Sequence, residues 1–166
     1  MESSAAPGLG RRLASMLYEG TLLFSVAFLG TWLFQFFAGS VQLEGWRRVA
    51  LQSYLGALFA AYFMWCWLRG GQTLAMKAWR IRLVAADGTG LTARQALVRF
   101  LLALVTVGGF GLAVLVAVRE GHALLSLALL ALASIGLAWA LVDRDGQFLH
   151  DRLAGTRLVL VSPDRA

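Results

Sequence analysis

The chain has 166 residues, of which 59% are hydrophobic and only 14% carry a formal charge. Soluble domains average about 25% charged residues, so this composition excludes an ordinary soluble fold and indicates an integral membrane protein. The formal charge of +6 would suggest nucleic-acid binding in a soluble domain, but here its distribution reads as a topology signal, and no nucleic-acid partner is expected.

Residues 1–10 read as a short mobile tail, and residues 11–166 as a single membrane domain with no soluble appendage. Four apolar runs follow, at about 16–37, 49–68, 100–118 and 123–142, and only the first contains a charge, Glu19. A helix of about 20 residues crosses a hydrocarbon core about 30 Å thick, so each run predicts a membrane span. The first run is longer than the apolar segment of a secretory signal, and no small-residue cleavage pattern follows it.

The connection Ala38–Arg48 is short, polar at Gln42 and Glu44, and carries Trp46 as an interfacial anchor. Span two closes on Trp65-Cys66-Trp67, then Arg69-Gly70-Gly71, which suits a headgroup boundary. Cys66 is the only cysteine, so it forms no internal disulfide and reads as a small packing residue. In the long middle connection, Arg80–Val84 alternates charge with apolar side chains and predicts a short strand. An interfacial helix over Leu74–Leu83 is the competing reading. Asp87-Gly88-Thr89-Gly90 is turn chemistry, and Thr92 with Gln95 forms a capping box that starts a helix leading into span three. Gly108, Gly109 and Gly111 loosen that span. After span four, Thr156–Ser162 predicts a second strand that would pair with the first through Arg80–Ala85 and Arg157–Val161. Small residues at spacing four, Gly56 with Ala60 and Gly136 with Ala140, suit close helix approach in lipid.

The basic residues divide unevenly between the two sides. Twelve lie before span one, between spans two and three, or beside and after span four, against three (Arg47, Arg48 and Arg119) on the other side. Short cytoplasmic connections carry the excess of Lys and Arg. Both termini and the middle connection are therefore expected in the cytoplasm, facing anionic headgroups. The fold class is an all-α membrane protein, a four-transmembrane-helix bundle with a small cytoplasmic β element.

Charged groups near hydrocarbon are costly, and are normally paired or functional. Four stand out: Arg12 at the mouth of span one, Glu19 two turns inside it, Arg99 at the mouth of span three, and Asp151 beyond span four. All four fall toward one side, so they are expected to meet as a charged cluster, with Arg12 paired to Asp151 and Glu19 beside Arg12 or Arg99. His150 and His122 are the only histidines and fall on opposite sides, so no metal site is expected. No nucleophile and base arrangement is visible, so neither an enzyme nor a cofactor is expected. Gly71-Gln72-Thr73 lacks the Gly-Lys-Ser/Thr ending of a phosphate loop and reads as a helix exit, with Gly71 as left-handed cap.

Taken in order, these residues give the chain a resemblance to the RDD family of bacterial membrane proteins, named for an arginine and two aspartates. Arg11-Arg12-Leu13-Ala14 looks like the family's opening signature. Gly71-Gln72-Thr73-Leu74 resembles its Gly-Gln-Thr segment, Arg99 its arginine in the third block, and His150-Asp151-Arg152-Leu153-Ala154-Gly155-Thr156 its closing motif. The family aspartate six positions after the first arginine is Tyr18 here, with Glu19 next to it, and Ala75 stands where a glycine is common. The resemblance implies a protein of the bacterial inner membrane with a transport role for an ion, a proton or a small solute. Four spans leave little room for a path within one copy, so transport implies a homo-oligomer. The other expected class is a non-transporting scaffold that binds a partner protein.

Overall fold

In lipid every backbone polar group must be satisfied within the chain, and the four apolar runs meet that demand as long helices. The structure, a computed structural model, describes residues 6–38 and 45–161. Helix α1 covers Leu9–Ala38 and α2 covers Trp46–Gly70. Span three is two helices in series, α4 (Ala93–Thr106) and α5 (Gly108–Glu120), and span four is α6 (Ala123–Val142). Four short elements accompany them among the described residues: α3 (Leu74–Ala78) and β1 (Ile81–Ala85) before α4, then α7 (Leu149–Leu153), with β2 (Thr156–Leu160) last. Among the described residues four stretches are long and apolar enough to cross a membrane: Leu9–Phe37, Trp46–Gly70, Ala93–Val114 and Ala123–Val142.

The chain answers its own polar groups inside these spans. The Thr21 and Ser25 hydroxyls donate to the carbonyls of Leu17 and Thr21, each at 3.1 Å. Phe24, Phe28, Trp32 and Phe36 recur every fourth residue and are all exposed on α1. Such a stripe would be an aggregation patch in water and is what lipid contact requires. Where helices approach, small residues make room. A Cβ on Gly30 would lie 3.2 Å from Leu55, at the crossing of α1 and α2, and one on Gly136 would lie 2.7 Å from Thr106, at the crossing of α6 and α4. Gly56, of the same expected spacing pattern, has nothing within 4 Å and marks no close approach.

The expected tail is corrected at its inner end. Helix α1 starts at Leu9, and Pro7 is fully buried, with its carbonyl accepting a bond from Arg12. Span three is interrupted at Val107, next to the glycines, while its N–H still reaches the carbonyl of Ala103 at 2.8 Å. The expected polar connection at Gln42 and Glu44 lies outside the described residues, and Trp46 opens α2 with its ring exposed.

The β element forms as an antiparallel ribbon, in register from Ile81↔Leu160 to Ala85↔Thr156. The strand reading holds for Ile81–Ala85, and helix is confined to Leu74–Ala78. Two strands alone are marginal in water, so the ribbon leans on the bundle. Ile81, Leu83 and Leu158 pack with Trp67, Met76 and Ala96, and Phe63, Met64, Leu91 and Phe100 surround them. This is the core of the molecule, at the end where α2 stops and α4 starts. The expected capping box opens α4, with Thr92 accepting from the Gln95 N–H and Gln95 from the Thr92 N–H.

Candidate functional site

The closing motif folds into one turn of helix and a tight exit. Helix α7 presents His150 and Asp151 inward, both buried. Gly155, at φ 64, reverses the chain so that β2 begins at Thr156. The Thr156 hydroxyl donates to the Asp151 carbonyl at 3.2 Å, and the Gly155 carbonyl accepts from the Ala86 N–H at 2.9 Å. His150 and Asp151 therefore point into the site and Thr156 fixes Asp151, while Arg152 and Leu153 are exposed.

Asp151 is fully buried, and Arg99 reaches it from α4, Nε to Oδ1 at 2.8 Å. The Arg99 guanidinium also lies 4.4 Å from the Trp67 ring centroid. The pair thus joins α4, α7 and the end of α2. Breaking a buried pair by deleting one partner typically costs about 3–5 kcal/mol, because the survivor is left charged and unpaired. Asp151 Oδ2 and Trp67 Nε1 are buried without a hydrogen bond among the described residues. His150 lies between Thr106, with Nδ1 at 3.3 Å from the hydroxyl, and Asp151, with Nε2 at 3.7 Å from Oδ1. Its ring stacks on Phe148 at 5.5 Å. Burial pushes its pKa down to about 4, against an opposing pull from Asp151, so the imidazole is neutral at physiological pH.

Arg12 is buried in the same region but does not pair with Asp151. It donates to the carbonyls of Pro7, at 2.7 Å, and Gly146, and its guanidinium lies 5.6 Å from the Phe148 ring centroid. Arg99 approaches α7 from the first turns of α4 and takes the carboxylate, while two backbone carbonyls hold Arg12 aside. The expected Arg12–Asp151 pair is therefore an Arg99–Asp151 pair with Arg12 bracing the turn before α7.

Glu19 stands apart from these cations. Its Oε1 accepts from the Tyr62 hydroxyl at 2.7 Å, and its Oε2 accepts from the Thr73 hydroxyl. Among the described residues no basic nitrogen lies within 4.0 Å of it. Two turns of helix separate it from Arg12 and aim it at α2 and the start of α3, so the expected arginine neighbour is replaced by two hydroxyls.

The Gly71-Gln72-Thr73 segment links these parts. Gly71 caps α2 at φ 68, and a Cβ there would lie 2.5 Å from the Leu83 carbonyl oxygen. The Leu83 N–H donates to the Gly71 carbonyl at 2.7 Å, and Gln72 Nε2 donates to the Ile81 carbonyl at 2.7 Å. Thr73 caps α3 by accepting from the Met76 N–H at 3.2 Å while donating to Glu19. The segment thus ties the ribbon to a carboxylate inside span one.

Two contributors were not visible as such in the sequence. Tyr62 is one of three tyrosines, and nothing in its spacing marks it as a partner of Glu19. Gln147 is buried and clamps β2, accepting from the Leu158 N–H at 2.9 Å. Its only signal is a polar residue directly after a turn. Among the described residues no three His, Cys, Asp or Glu side chains gather to hold a metal ion.

Neither a curated protein nor a solved structure matches the chain. A family model described as the RDD family matches residues 6–155. That match runs from the segment that buries Arg12 to the glycine that releases β2, and the chain therefore belongs to the RDD family of membrane proteins.

Proposed function

We propose that the protein is a multi-pass transporter of the bacterial cytoplasmic membrane that moves a proton or a monovalent cation, with Glu19 as the exchanging group. The carrying observation is the division of charge. Arg99 is neutralised by Asp151, and Arg12 is held by carbonyls, yet Glu19 sits within span one among hydroxyls with no basic group within 4.0 Å among the described residues. A carboxylate near hydrocarbon with no protein counter-charge takes up a proton or a cation as its counter-charge. Hydroxyl donors can turn to accept when the carboxyl is protonated, so the arrangement supports both states. The basic excess of the ribbon side supports placing both termini in the cytoplasm. A homo-oligomer supplies the path that one copy lacks.

The test is flux into liposomes containing the purified protein, driven by pH and sodium gradients. Glu19→Gln is expected to fold and to abolish flux, whereas wild-type flux equal to that of empty liposomes overturns the proposal. The buried Arg99–Asp151 lock favours a second reading, a membrane scaffold that holds a partner protein. Under it, Asp151→Asn lowers yield and thermal stability, and no cation gradient is dissipated.

A further inference from the structure

The carboxylates on the ribbon side are taken up unevenly by the arginines around them. Asp151 is consumed by Arg99, while Asp143 and Asp145 are consumed by Arg152, at 3.4 and 2.9 Å. Arg69, Arg82 and Arg157 have no carboxylate within 4.0 Å among the described residues. Two of them, Arg69 and Arg82, meet at the end of α2. Arg69 lies in the last turn of α2, with its guanidinium 3.8 Å from the centroid of the exposed Trp65 ring. Arg82 reaches back to the same helix end, with Nε on the Gly70 carbonyl at 3.1 Å and its stem against Gly71. Arg157 is opposite Val84, on the same face of the ribbon as Arg82, but its guanidinium lies at the Gly88 turn, away from the end of α2. Asp87 feels the charge of Arg157 and accepts from the Thr89 N–H at 2.9 Å and the Thr89 hydroxyl at 2.7 Å.

We propose that Arg69 and Arg82 form a binding site for the phosphate of an anionic phospholipid of the phosphatidylglycerol class, with Trp65 against its glycerol and upper acyl region. Depth selects this occupant. Trp65 and Leu68 are exposed on the last turns of a membrane span, so a ligand touching Arg69 there meets apolar surface on its bilayer side. Trp settles at this level because its ring is amphipathic. A free phosphate would use the arginines and leave that surface uncovered. The ribbon gains a third support, since headgroups would close the face turned away from its core. The site does not depend on whether Glu19 carries a cation.

The experiment uses the full chain in nanodiscs of phosphatidylcholine with and without phosphatidylglycerol, read by thermal unfolding and by native mass spectrometry of retained lipid. Phosphatidylglycerol is expected to raise the wild-type midpoint and to be retained in preference to phosphatidylcholine. Arg69→Gln, whose side chain is exposed, is expected to match wild type in phosphatidylcholine, and Arg69→Gln/Arg82→Gln is compared with its own midpoint in phosphatidylcholine because Arg82 also bonds the Gly70 carbonyl. Each arginine removed is expected to weaken phosphatidylglycerol retention about fivefold. Arg69→Lys restores part of that loss. The proposal is overturned if phosphatidylglycerol neither raises the midpoint nor is retained, if Arg69→Gln retains it like wild type, or if inorganic phosphate in phosphatidylcholine discs gives the same rise.

Discussion

Protonating His150 would place a charge in a site where Asp151 favours it and both burial and Arg99 oppose it. Burial is the largest effect, and the pKa falls to about 4. The unfolded chain takes up that proton near the ordinary value of about 6.5. Between about pH 6.5 and about pH 4 the unfolded state therefore binds a proton that the native state refuses, and stability falls as pH falls. Above about 6.5 the contribution is complete, and below about 4 it is gone. The full interval corresponds to about 3 kcal/mol. The Thr106 hydroxyl, Asp151 and the ring of Phe148 line the imidazole, and Arg99 acts on it from α4. Thermal midpoints of the purified protein are expected to drop across that pH window. His150→Gln is expected to start lower and to lose the slope there, and an unchanged slope in the variant would show that His150 is charged in the native protein.

Glycines show at the level of the element why a single substitution carries opposite signs in different places. Gly71 is left-handed, at φ 68, and a Cβ would lie 2.5 Å from the Leu83 carbonyl oxygen, where β1 docks on the end of α2. Gly71→Ala is expected to cost about 1–3 kcal/mol for the backbone alone, and more through the displaced strand. Gly56 sits inside α2 with nothing within 4 Å, so Gly56→Ala is expected to gain about 0.5–1 kcal/mol from helix propensity. Unfolding in detergent measures both. Sequence spacing marked Gly56 and Gly136 alike, but spacing defines a helix face and not what faces it. Only Gly136 meets a neighbour, Thr106. The spans, the capping box and the two strands were legible because each depends on residues close together in sequence. The Arg99–Asp151 pair was legible only as membership of a cluster. Its partner choice depends on backbone carbonyls at Pro7 and Gly146 that hold Arg12 aside. The hydroxyls around Glu19 come from positions 43 and 54 residues away, and no local pattern records such a distance.

For the molecule as a whole, the order of elements leaves one choice of sign. The start of α1, the end of α2, the start of α4 and the end of α6 share an end, because the ribbon, α3 and α7 join there. Among the described residues that end carries eleven of the fourteen Lys and Arg residues, and inverting the protein would move all of them across the bilayer at once. Short, basic connections stay in the cytoplasm, so the proposed orientation puts the ribbon in the cytoplasm and the α5–α6 turn outside. Cys66 is the sole cysteine, and Cys66→Ala gives a background in which one introduced thiol reports one place. Gly90 is exposed with nothing within 4 Å of its Cβ position, and His122 is exposed between α5 and α6. In intact bacteria a membrane-impermeant maleimide is expected to label His122→Cys directly and Gly90→Cys only after the membrane is opened. The reverse pattern would put the ribbon outside. It would also remove the cytoplasmic leaflet as the source of the anionic headgroup that Arg69 and Arg82 face, because the charge asymmetry and that site require the same orientation.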